Sequence, residues 1–80
     1  MKIAFYTRAG CHLCEVAEAE LLRLQRELRF EMEKHDVDES PEWQELYGEL
    51  VPVTVLPDGF EMHYRVDAAL IRKLESVPGF

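Results

Sequence analysis

Cysteine is scarce in this chain of 80 residues: two in all, Cys11 and Cys14, within the stretch Tyr-Thr-Arg-Ala-Gly-Cys-His-Leu-Cys. A bridge between them closes so short a loop that chain entropy yields only about 2 kcal/mol, against about 4.7 kcal/mol for a hundred-residue loop. The pair is therefore badly placed as a staple for a small core. Long apolar runs are missing too. The run Ile-Ala-Phe-Tyr at positions 3–6 gives way to Thr7 and Arg8, which reads as neither a secretory signal core nor a membrane span. The expected compartment is the cytoplasm, where a close cysteine pair is more often catalytic or metal-binding than structural. Positive charge is in deficit, with nine Lys and Arg against sixteen Asp and Glu and a formal net charge of −7. Such a surface repels phosphate backbones, so nucleic acid is not an expected partner, and any anionic small molecule needs a local positive patch. Neither a linker, nor a repeat, nor a low-complexity tract interrupts the chain.

At 48% apolar residues the chain has enough for one core and too little for two, so a single domain over residues 1–80 is expected. Residues 2–6 read as a buried strand with the thiols just beyond its exit. From His12 to Leu28 the period becomes helical, with Leu13, Cys14, Ala17, Leu21, Leu24 and Leu28 in one arc. Alternation at Phe30 and Met32 suggests a second strand. Ser40 as N-cap, Pro41 at the first helical position and Gly48 as a stop frame a short helix with Trp43, Leu46, Tyr47 and Leu50 at helical spacing, and Trp43, Tyr47 and Leu50 read as packing. Two strand-like runs around Pro57-Asp58-Gly59 read as a hairpin. A last helix follows, capped by Asp67, carrying Leu70, Ile71 and Leu74, and closed by Pro78-Gly79.

The chemistry rests on where the thiols sit relative to the first helix. A thiolate is the nucleophile in disulfide exchange, and a helix N-terminus stabilises it through unpaired N–H groups and the macrodipole. Cys11 holds that position, while Cys14, one turn in and on the buried arc, is placed to resolve a mixed disulfide on Cys11. Arg8 and a protonated His12 favour the Cys11 thiolate, and Glu15 and Glu18 oppose it. Two inert buried thiols are the bland alternative. A structural zinc site wants four ligands, and His12, His35 and His63 offer no second tight pair. As ordinary features, His35 and His63 are polar strand positions, Arg8 and Arg65 surface cations, and Glu15, Glu18 and Glu27 a solvated helix face.

Strand, Tyr6 to Cys14, helix, and the later Leu50-Val51-Pro52-Val53 before a hairpin resemble, over essentially the whole chain, a glutaredoxin-like protein of the thioredoxin superfamily. The resemblance implies a thioredoxin-like (glutaredoxin-type) α/β fold, β-α-β-α-β-β-α, with a four-stranded mixed sheet flanked by three helices. It implies that Pro52 is cis, and that Val51 pairs its backbone with the substrate. Tyr6-Thr7-Arg8 matches the family motif whose basic residue helps hold a glutathione carboxylate. Where many members carry Gly-Gly before an acidic residue, this chain has His63-Tyr64-Arg65-Val66-Asp67, and only Asp67 matches. The dipeptide between the cysteines, His12-Leu13, also departs from the familiar Pro-Tyr. The implied topology brings His63, Tyr64 and Arg65 near the thiols, where with Arg8 and His12 they would form a positive patch. The activity implied is thiol–disulfide exchange on protein or glutathione mixed disulfides, by a monomer, with glutathione as reductant and no tightly bound cofactor or metal. The alternative of another class is a binding module without turnover, such as an iron–sulfur cluster carrier or a redox-regulated adaptor.

Overall fold

Ile3 and Phe5 alternate with Lys2, Ala4 and Tyr6, and this period of two gives the first strand one face for the core and one for a second layer. In the computed structural model, which describes residues 1–75, that strand is β1, Lys2–Thr7. It is followed by α1 (His12–Leu28), β2 (Glu31–Asp36), a 3₁₀ turn (Val37–Glu39), α2 (Pro41–Tyr47), β3 (Val53–Val55), β4 (Glu61–His63) and α3 (Ala68–Glu75). The expected closure at Pro78-Gly79 lies outside the described residues.

The four strands form one mixed sheet in the order β2-β1-β3-β4. β1 and β2 are parallel, joined through α1, and β3 runs antiparallel to both β1 and β4. Ala17, Leu21 and Leu24 of α1 pack with Ile3, Phe5 and Ile71 of α3 in one core, which Phe30, Leu56 and Met62 complete. Their spacing of three and four residues along α1 puts them on one stripe, and each fully buried leucine contributes about 1.5–3 kcal/mol. α1 ends without a glycine: Arg29 takes the left-handed conformation (φ 57) and its N–H donates to the Gln25 carbonyl at 2.8 Å. Asp67 Oδ1 accepts from the Ala69 and Leu70 N–H groups and so caps α3.

Two expected core assignments turn out differently. Leu13 shares the bearing of the buried arc but is 52% exposed, because the first turn of α1 stands at the rim of the molecule, in a groove beside Tyr64 and Val66. On α2 no residue is fully buried, and Leu46 is 54% exposed. Two turns of helix cover only part of a sheet face, so its aromatic residues are half-buried against β1 and β2 instead of forming a second core. Gly48 caps the end of α2 in the right-handed conformation (φ −53), and glycine is suited to it by space, since a Cβ there would run into the Gln44 carbonyl.

Thr54, at the middle of β3, is fully buried, and its Oγ1 has no hydrogen-bond partner among the described residues. An unpaired buried hydroxyl costs roughly 1–3 kcal/mol. Thr54→Val should therefore raise stability by about 1 kcal/mol, read as a higher urea midpoint at unchanged slope. A lower midpoint would show that the hydroxyl is satisfied in solution.

Candidate active site

β1 ends at Thr7, and the chain turns through Gly10 at φ +75, a conformation that glycine adopts without steric cost. The turn delivers Cys11 to the N-cap of α1 in an extended conformation (φ −98, ψ 109). Its Sγ accepts the Cys14 N–H at 3.1 Å, so the sulfur occupies the place of a capping oxygen. Cys14 is 2% exposed and Cys11 half-buried. The two are joined as a disulfide with Cα atoms 5.2 Å apart.

Sheet register decides what surrounds the pair. Tyr6 faces Val53 and Val53 faces His63, so the end of β1, the start of β3 and the end of β4 share one edge of the sheet. Val51-Pro52, immediately before β3, is cis, as the resemblance implied, and Pro52 is buried. The Pro52 carbonyl accepts the Tyr64 N–H at 2.8 Å. His63, Tyr64 and Arg65 do come to the thiol end, but His63 Nε2 sits 3.0 Å from Glu61 Oε1. Tyr64 has φ 68, unusual for a side chain of its size, and its hydroxyl donates to the Glu49 carbonyl at 3.1 Å. Tyr64 thus ties the exit of β4 to the loop before Pro52, a role with no signal in the sequence.

Arg8 departs most from its expected role. Nη1 donates to the Gly48 carbonyl at 3.0 Å and Nη2 to Asp38 Oδ1 at 3.1 Å, so the guanidinium is spent on the end of α2 and the 3₁₀ turn. Its geometry is that of a strut under the Gly48–Pro52 loop. His12 is exposed, with Nδ1 3.9 Å from Glu15. Asp67 has its carboxylate on the α3 cap. Arg65 is exposed and lines the groove that Leu13, Val16 and Tyr64 also line. Among the described residues no three His, Cys, Asp or Glu side chains form a group able to hold a metal ion. No helix there is long and apolar enough to cross a membrane.

Tyr6 points away from the core. It stacks on His35 (centroids 5.0 Å), meets Tyr47 at 4.4 Å and turns an edge to Trp43 at 5.7 Å. Its alternation with Phe5 and the i, i+4 spacing of Trp43 and Tyr47 are the signals that could have joined these residues beforehand. Burial in this cluster pushes the Tyr6 phenol above its ordinary value of 10.0, with Glu33 and Glu61 adding to the shift. Tyr47 is raised by burial first, then by Glu61 and Tyr6. A raised acid pKa stabilises the fold fully below the unfolded value, and that contribution is lost as pH rises through the folded value. Wild type should therefore lose more stability between pH 9 and pH 11.5 than Tyr6→Phe,Tyr47→Phe does, with both followed by urea unfolding. Equal losses would mean that these phenols ionise as they do in the unfolded chain.

Comparison with known proteins follows the same lines. Residues 2–74 match the family model of the Glutaredoxin-like domain. No curated protein sequence matches the chain. A solution NMR structure of a protein from Nitrosomonas europaea is similar at 36% identity and a TM-score of 0.75, covering 91% of this chain and 88% of that one. An X-ray structure of a protein from X. campestris is 30% identical with a TM-score of 0.70, over 95% of this chain and 99% of that one. Thioredoxin 1 from Thermosipho africanus, at 21% identity and a TM-score of 0.64 over 94% and 91% of the two chains, shares the fold.

Proposed function

The chain belongs to the glutaredoxin-like domain family, and from that membership we propose that it is a thiol–disulfide oxidoreductase in which Cys11 attacks and Cys14 resolves. The observation that carries this reading is Cys11 Sγ at the N-cap of α1, accepting the Cys14 N–H at 3.1 Å. A hydrogen-bond donor and the positive end of a 17-residue helix both favour the thiolate, while Glu15 in the first turn partly offsets them.

In the reduced protein the Cys11 thiolate attacks one sulfur of a protein disulfide or glutathione mixed disulfide. The new bond is Cys11 to that sulfur, the old S–S bond breaks, and the far sulfur departs as a thiolate that takes up a proton. Cys14 then gives up its proton and attacks Cys11 Sγ, releasing the second sulfur and leaving the Cys11–Cys14 disulfide. Two electrons pass from the protein to the substrate. A thiol donor, glutathione by family resemblance, returns them, and no tightly bound cofactor is needed. The main chain of Val51, held by cis-Pro52, pairs with the substrate backbone. Tyr6 and Arg8 act by supporting this end of the sheet and the Pro52 loop, and Asp67 by capping α3. Arg65 and His12 face the substrate. The working unit is taken to be a cytoplasmic monomer.

The test is redox equilibration in graded glutathione buffers, quenched by alkylation and weighed as intact protein. The expected midpoint lies between about −270 and −180 mV, the range of working oxidoreductases. Two alkylated thiols at every buffer ratio would overturn the proposal.

A further inference from the structure

The charges around the disulfide carry an inference about the substrate, and it rests on the exchange reading above. Cys14 lines a cleft of about 300 Å³ whose charged walls are Arg8, Glu15, Glu18, Lys34 and Asp36. Both cations there already have carboxylates: Arg8 Nη2 is 3.1 Å from Asp38, and Lys34 Nζ is 2.8 Å from Glu18. Glu15, with a side chain 77% exposed, remains to face an incoming molecule, with the His12 imidazole 3.9 Å from it. Asp36 keeps its charge at the cleft while its Oδ1 accepts the Asp38 N–H at 2.9 Å. The wall next to the buried thiol is thus negative, on a chain whose formal net charge is −7.

Successive helix residues turn by 100°, so Leu13, Val16 and Glu20 fall on the other side of Cys14 from Glu15 and Glu18. There they line a groove of about 320 Å³ with Tyr64, Arg65 and Val66. Leu13, Val16 and Tyr64 are roughly half exposed. Arg65 is the one cation at this end without a carboxylate partner among the described residues, and it shares its groove with Glu20. The carboxylates on one side of the disulfide suit a cationic head, and the apolar shelf on the other suits the aliphatic stem of a residue across the substrate cysteine. Tyr64 adds an aromatic ring on which such a cation can rest.

We propose that the substrate of the Cys11–Cys14 pair is a polypeptide disulfide flanked by lysine or arginine, selected by the Glu15–Asp36 wall and the Leu13–Val16–Tyr64 shelf. Polypeptide disulfides flanked by acidic residues are then slow substrates. The field acts on encounter: a cleft lined by one sign of charge raises the on-rate of the opposite sign, and salt removes the advantage.

The experiment uses the reduced full chain and two pentapeptides with a central cysteine, one flanked by lysines and one by glutamates, each as a mixed disulfide with 2-mercaptoethanol. Single-turnover rates are divided by the rate of dithiothreitol, whose attacking thiolate carries no charge beyond that of the sulfur, with the same peptide, which cancels intrinsic reactivity. The lysine peptide should react about tenfold faster or more at low ionic strength, with the ratio falling toward one in 1 M salt. Glu15→Lys should lower the ratio at low salt. Because both peptides meet the same Cys11 thiolate, a change in its pKa leaves the ratio untouched. A ratio of one or less at low salt, or a ratio unmoved by Glu15→Lys, would overturn the substrate assignment. If neither peptide reacts while Cys11 alkylates normally, the exchange reading itself falls, and this inference with it.

Discussion

Cys11→Ser should bring disulfide exchange down to the uncatalysed background, a loss on the order of 10³-fold or more, as when a covalent nucleophile is removed from other enzymes. A serine hydroxyl stays protonated at neutral pH and does not attack sulfur. The variant is also a clean one. Serine is a strong N-cap, so its oxygen can take over the Cys14 N–H that Cys11 Sγ now accepts. Its folding stability should stay close to that of the reduced wild type, whereas Cys11→Ala, which removes the cap, should lose about 1 kcal/mol. Cys14→Ser should behave in the opposite way. The first step survives and the second is blocked, so the protein accumulates a mixed disulfide on Cys11, visible as an added mass that dithiothreitol removes. Stopped assays with 2-hydroxyethyl disulfide and intact mass spectrometry read both variants. Exchange surviving in Cys11→Ser, or a Cys14→Ser protein that traps nothing, would reverse or dissolve the division of labour between the thiols.

The largest stability effect is expected at Phe5. It is fully buried on an inner strand, in the same core as Ile3, Leu21 and Ile71. Truncating a buried phenylalanine to alanine costs about 3–5 kcal/mol, part in transfer free energy and part in the cavity left behind. At roughly 0.05–0.15 kcal/mol per residue, a domain of this size has a total stability on the order of 4–12 kcal/mol. Phe5→Ala should therefore remove about a quarter or more of it and leave a substantial unfolded fraction at moderate urea. Leu46→Ala supplies the contrast. That leucine stands at helical spacing with Trp43, Tyr47 and Leu50 but is 54% exposed, and the change should stay within about 0.5 kcal/mol. A large loss at Leu46 would show that its side chain packs more closely than its exposure allows.

Much of the architecture was legible because its signals are local. The Ser40-Pro41 start of α2, the Asp67 cap of α3, the Pro57-Asp58-Gly59 turn and the 3.6-residue stripe along α1 each depend on residues a few positions apart, and each appears where its chemistry puts it. The placement of Cys11 at a helix start and of Cys14 on the buried face is of the same kind, since an N-cap and one turn of helix set both. Tyr64 could not be read this way. Its positive φ and its bond to the Glu49 carbonyl arise from how β4 ends against a loop 15 residues earlier in the chain.

By itself, then, the sequence determined the order of the elements and the placement of Cys11 at a helix start and Cys14 on its buried face, because periodicity, capping and turn chemistry act within a few residues. Tertiary structure alone decided what faces that pair. Arg8 reaches Gly48 and Asp38 across 40 and 30 residues of chain, so a cation read as a carboxylate binder becomes a support for the Pro52 loop. Leu13 lies at the rim because a residue's bearing on a helix does not say how far the neighbouring layer extends. Lys34 meets Glu18 because parallel pairing of β2 with β1 carries that lysine alongside α1.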